Sequence, residues 1–113
     1  MIGYHLLIDG VFGNPINGED LEIILSELPE KIGMNILSGP LVVKGCPENP
    51  GWTGFVIIDK SHISIHTFSE GNKISLDVFS CEIFDEHTAL NYIKEHITFL
   101  KYKSRFIDRN EES

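Results

Sequence analysis

An α+β two-layer sandwich is the fold this sequence predicts: a mainly antiparallel sheet with two helices on one face. Three observations carry that expectation. Ile74, Leu76 and Val78 alternate with Ser75, Asp77 and Phe79, the period of a half-buried strand. Two other stretches place apolar residues three and four apart, the period of an amphipathic helix. The tetrapeptide Ser69-Glu70-Gly71-Asn72 joins two strand-like runs as a short hairpin, which fixes antiparallel pairing there.

Taken in order, Tyr4 to Ile8 reads as a first strand, followed by turn residues Gly10, Gly13, Pro15 and Asn17. Leu21, Ile24, Leu25, Leu28 and Ile32 then recur at helical spacing. Pro29 interrupts that pattern, so the helix is expected to kink or end near Leu28. Asn35 to Val43 makes a second strand, and Gly45 to Gly51 a loop rich in Pro, Gly and Asn. Phe55 to Ile58 is a continuous apolar run. His62 to Phe68 alternates, with His62, Ser64 and His66 on one face and Ile63, Ile65 and Thr67 on the other. A second helix is expected from Glu86 to Phe99, with Asp85 as N-cap and Ala89, Leu90, Ile93 and Ile97 facing inward. A last strand near Tyr102 to Ile107 closes a single domain over 1–109, and 110–113 reads as a frayed polar tail.

At 113 residues and 42% hydrophobic, the chain suits one core and leaves little protein to enclose a deep pocket alone. A site at an oligomer interface is the favoured arrangement. The formal net charge of -8 disfavours nucleic acid or an anionic membrane as partner. Lys101, Lys103, Arg105 and Arg109 cluster near the end and read as a charged, solvated edge strand. Met1 to Asp9 lacks the basic lead and long apolar run of a signal peptide, and no run reaches the ~20 apolar residues of a membrane span. Cys46 and Cys81 have neither metal-like spacing nor a disulfide framework. A reducing cytoplasm is the expected home.

Most generic motifs fail on inspection. His62 and His66 are four apart, but on a strand that separates them by roughly 13 Å, too far to share an ion. No phosphate-loop or dinucleotide glycine pattern is present. Ser61 and His66 could be two parts of a hydrolase triad, yet no nucleophile-elbow sequence surrounds the serine. Taken singly, His66 reads as a surface strand histidine and Cys81 as a small packed residue.

Taken together, the residues are more specific. The run Lys60-Ser61-His62-Ile63-Ser64-Ile65-His66-Thr67-Phe68, then Asp77-Val78-Phe79-Ser80-Cys81, resembles the signature of prokaryotic S-adenosylmethionine decarboxylases, E-S-H-I-S-I-H-T-W-P-E followed by D-V-F-T-C. Upstream, Gly51-Trp52-Thr53-Gly54-Phe55-Val56 is similar to that family's G-V-S-G-V-V, and the opening Tyr4 to Asp9 also fits. The spacing from serine to cysteine is kept.

The resemblance implies a proenzyme that cuts itself between Lys60 and Ser61 and converts Ser61 into a pyruvoyl group. That ketone would take up a substrate amine and accept the electrons released on decarboxylation. His66 and Thr53 match positions that assist the cut. Cys81 matches the general acid that returns a proton to the substrate's α-carbon. Phe68 and Glu70 match substrate-binding positions, Phe68 for adenine and Glu70 for ribose hydroxyls. A small-molecule substrate, a homodimer with interfacial sites and a place in spermidine synthesis are implied with them.

Four departures stand out. Lys60 replaces the usual Glu, Thr53 replaces Ser, and Phe68 replaces Trp. Pro47-Glu48-Asn49-Pro50 occupies the loop where a second adenine-stacking aromatic is usual, with Trp52 as a candidate substitute. Ornithine or arginine therefore stands beside S-adenosylmethionine as an alternative substrate. An uncleaved homologue that binds a small molecule or partner enzyme is the non-enzymatic reading.

Register suggests how the residues group. If Phe68 pairs with Lys73, Cys81 falls opposite Lys60, beside Ser61. If the preceding hairpin turns around Asp59 to Ser61, His66 falls near Thr53 and Gly54. Along one extended strand, Ser61 and His66 are roughly 16 Å apart, beyond hydrogen-bond reach. A two-fold dimer that pools one group from each subunit would unite them, and a bend in the strand is the alternative in cis.

Overall fold

A computed structural model describes residues 2–110. The chain runs β1 (Tyr4–Phe12), α1 (Gly18–Lys31), β2 (Ile36–Lys44), β3 (Trp52–Ile58), β4 (Ser61–Phe68), β5 (Lys73–Ser80), α2 (Glu86–His96) and β6 (Phe99–Asp108). The strands form one sheet in the order β2-β3-β4-β5-β1-β6, and every neighbouring pair is antiparallel. The α+β sandwich predicted from the sequence is the fold observed.

Strand alternation divides the sheet into a covered face and an open one. Leu6 and Ile8, Val56 and Ile58, Ile63 and Ile65, and Leu76 and Val78 are buried on the covered face. Leu21, Ile24, Leu25 and Leu28 of α1 and Ala89, Tyr92 and Ile93 of α2 complete that core. Gly54 permits the close approach of α1, since a Cβ there would lie 2.6 Å from Leu25 Cδ1. Between the helices, the Tyr92 hydroxyl donates to Glu27 at 2.7 Å. Burial and that carboxylate push the phenol well above its ordinary range.

Several boundaries differ from the sequence reading. Pro29 does not end α1 near Leu28. It lies inside the last turn, where a missing N–H removes only one intrahelical bond, and its ring is buried. Its carbonyl accepts the Met34 N–H at 2.8 Å. Gly10 is not a turn residue but part of β1. Its missing side chain is what lets β6 approach, because a Cβ would sit 2.8 Å from the Lys101 carbonyl oxygen and from the Phe99 ring. Asn17 caps α1 through a reciprocal pair with Asp20. Asp85 caps α2 as expected, accepting the His87 N–H at 2.9 Å.

The second helix stops at His96, and Phe99 already belongs to β6, which is ten residues long and starts before Tyr102. Inward-facing Ile97 is the extended residue that closes α2. Asn110 accepts the Ile2 N–H at 2.9 Å, and 111–113 of the expected tail lie outside the described residues. Among the described residues, no helix is long and apolar enough to cross a membrane.

Candidate active site

Two strand registers build the site. Phe68 pairs with Lys73 across β4 and β5, and the same register runs to His62 opposite Phe79. Thr53 pairs with His66 across β3 and β4, and Ile58 with Ser61 closes that ladder. Asp59 and Lys60 are left as a two-residue turn, with Cys81 following β5 beside it.

The first group sits at this turn. Ser61 is 6% exposed, sharing the parity of Ile63 and Ile65 on the covered face. Its hydroxyl donates to the Asp59 main-chain carbonyl at 2.7 Å and accepts the Cys81 N–H at 3.0 Å. The Cys81 thiol donates to the same Asp59 carbonyl at 3.6 Å. Lys60, between them, holds φ at 47°, the left-handed region. For a residue with a side chain that conformation costs about 1–2 kcal/mol. The strained residue is the one whose carbonyl carbon lies next to the Ser61 hydroxyl.

The second group lies on the open face. Thr53 Oγ1 and His66 Nδ1 share a 3.0 Å hydrogen bond. The Thr67 hydroxyl accepts the Trp52 N–H at 2.9 Å and fixes the neighbouring rung. Ser61 and His66 therefore point to opposite faces from the same strand, and one subunit does not bring the two groups together.

A line of rings crosses the open face between these groups. Phe55, His62, Phe79 and His5 follow one another at centroid distances of 5.4, 5.6 and 6.0 Å. Arg109 lies 5.0 Å above Phe79. Desolvation chiefly, then nearby His5, lower the His62 pKa; Asp77 opposes them, and Arg109 adds the least of the four effects, a further lowering. His62 thus sits between the Phe55 and Phe79 rings in surroundings that disfavour its charged form.

At the far end of β4, Phe68 and Glu70 share a cleft of about 450 Å³ with Glu48 and Pro50. The substitute aromatic is not there. Trp52 has the opposite parity, and its ring packs over Gly18, where a Cβ would lie 2.7 Å from a ring carbon. Its one-residue offset from Thr53 sends it to the covered face, so it does not face Phe68. Sequence reasoning missed Asp59. Its place in a two-residue turn was visible, but its partner Asn35 is 24 residues away.

A family model described as S-adenosylmethionine decarboxylase matches residues 10–110. The chain belongs to the S-adenosylmethionine decarboxylase family. It is 37% identical over 113 residues to an S-adenosylmethionine decarboxylase proenzyme of Clostridium botulinum (strain Langeland), covering 96% of this chain and 95% of that one. A proenzyme of the same name from Pyrococcus furiosus is 32% identical, covering 97% of this chain and 76% of the relative. The crystal structure of the adenosylmethionine decarboxylase from Aquifex aeolicus superposes with a TM-score of 0.74 at 26% identity, covering 99% of this chain and 96% of that one. The resemblance expected from the Ser61–Phe68 and Asp77–Cys81 runs is thus a family membership that spans nearly the whole chain.

Proposed function

We propose that this chain is a self-processing decarboxylase of S-adenosylmethionine, cut between Lys60 and Ser61 and carrying a pyruvoyl group derived from Ser61. One observation carries the reading: a buried serine hydroxyl, hydrogen-bonded on both sides, adjoins the carbonyl of a strained turn residue. The relatives' names supply the substrate.

The cut can be followed atom by atom. Ser61 Oγ attacks the Lys60 carbonyl carbon, the carbon–nitrogen bond breaks, and the hydroxyl proton ends on the freed nitrogen. Loss of the residue 61 α-proton then breaks the Cβ–Oγ bond and releases Lys60 as a carboxylate. Water replaces the nitrogen, which leaves as ammonia, and residue 61 heads the second fragment as a ketone. The site fits this group: residue 61 starts a strand, and the Cys81 main chain and thiol are beside it. When formed, the ketone supplies an electron sink for decarboxylation.

The chain's own residues supply the rest. Cys81 donates the proton that replaces carbon dioxide, as a thiol can near neutral pH. Thr53 and His66 assist the cut. Phe68 gives a stacking surface for adenine and Glu70 acceptors for ribose hydroxyls. Opposite facing of Ser61 and His66 supports a homodimer in which each subunit lends one group to its partner. The open face also carries apolar surface that a second copy would cover, with Leu41, Phe55 and Ile57 there 65%, 38% and 44% exposed. Two unpaired cysteines suit a cytoplasmic enzyme.

Intact mass is the deciding test. Fragments 1–60 and 61–113 are the expected products, and a folded chain that stays whole and never reacts with a carbonyl reagent refutes the proposal. Carbon dioxide release from S-adenosylmethionine, against ornithine and arginine, then identifies the substrate.

A further inference from the structure

The turn before Ser61 is tied to the rest of the protein by one residue. The Asp59 carboxylate accepts the Asn35 N–H at 3.1 Å, and the Asp59 N–H donates to the Asn35 carbonyl at 3.3 Å. This two-point clamp joins the end of β3 to the segment entering β2. The carbonyl of the clamped residue is the same oxygen that receives the Ser61 hydroxyl at 2.7 Å and the Cys81 thiol at 3.6 Å. Resting on the self-cleavage proposed above, we infer that Asp59 is a positioning residue for that reaction.

The argument is one of orientation. A hydroxyl oxygen has one hydrogen and two lone pairs. At Ser61 the hydrogen is committed to the Asp59 carbonyl and one lone pair to the Cys81 N–H. The second lone pair remains for the neighbouring carbonyl carbon. An oxygen free to rotate would spread those directions over its rotamers. Holding the Asp59 carbonyl still thus selects one serine geometry, and also keeps the thiol beside residue 61. The Asp59 carboxylate bonds to Asn35 and to none of the reacting atoms. Asp59 acts through the position of its main chain, and its side chain anchors that main chain.

Two variants separate anchoring from charge. Asp59→Ala removes the carboxylate contact but leaves the main-chain one, so cleavage is expected to slow roughly five- to twentyfold. Asp59→Asn keeps an acceptor for the Asn35 N–H and should cleave within about twofold of wild type. The readout is the rate at which fragments 1–60 and 61–113 appear by mass. Melting of both variants in an uncleavable Ser61→Ala background checks that the fold is kept. If Asp59→Ala does not fold, Asp59→Glu, which displaces the acceptor by one methylene, reads the same contact and should also be slow. Equal rates for wild type and Asp59→Ala overturn the inference. So does an Asp59→Asn as slow as Asp59→Ala, which would assign the effect to charge. A wild-type chain that never cleaves refutes the proposed function instead.

Discussion

Thr53 and His66 face each other across β3 and β4 and share a 3.0 Å hydrogen bond on the sheet face away from Ser61. A helper pair on one face and a nucleophile on the other do not meet inside one subunit. Mixing Ser61→Ala with His66→Ala chains should therefore restore cleavage in every His66→Ala chain that acquires a Ser61→Ala partner, about half of them in an equal, randomly paired mixture. Fragment yield from the mixture measures it, and a mixture as inert as its parents would require both groups to act in cis.

Cys81 holds its neighbours in two ways, and they can be pulled apart. Its main-chain N–H supports Ser61 whatever its side chain, so Cys81→Ala should still cut itself. Turnover per cleaved chain should fall about a hundredfold or more, the range for losing a general acid. Carbon dioxide release normalised to fragment content checks both statements.

How far the sequence foretold these contacts depended on distance along the chain. The Lys60–Cys81 and Thr53–His66 alignments were legible because each follows from alternation and a short hairpin, both local signals. Misreadings arose where tertiary packing overruled local propensity. Gly10 looked like a turn but is demanded by β6, and Pro29 looked like a helix end but is absorbed in a buried last turn. The Asp59–Asn35 clamp left no trace, since nothing in either residue type names a partner two dozen positions away.

The aromatic line across the open face makes a pH prediction. Because the folded-state pKa of His62 lies below its ordinary 6.5, the unfolded chain binds this proton more readily. Its contribution to stability is therefore complete above about pH 6.5 and is lost as pH falls below that value. His62→Phe, which keeps a ring between Phe55 and Phe79, should flatten the decline in urea midpoint between pH 7 and pH 5. Urea titrations in the Ser61→Ala background measure it.

Packing between α1 and the sheet gives a structural prediction. Gly54→Val would drive a side chain into Leu25, so α1 must shift, at a cost of about 1–3 kcal/mol. A lower urea midpoint in the Ser61→Ala background, with retained circular dichroism, is the expected result.

The strand order also decides what becomes of the two pieces. The first, 1–60, would carry β1, α1, β2 and β3, and the second, 61–113, would carry β4, β5, α2 and β6. In the sheet they are braided: β1 of the first lies between β5 and β6 of the second, while β3 abuts β4. Severing one peptide bond therefore frees a chain end without freeing a polypeptide. The matured protein would be two molecules that can part company only by melting.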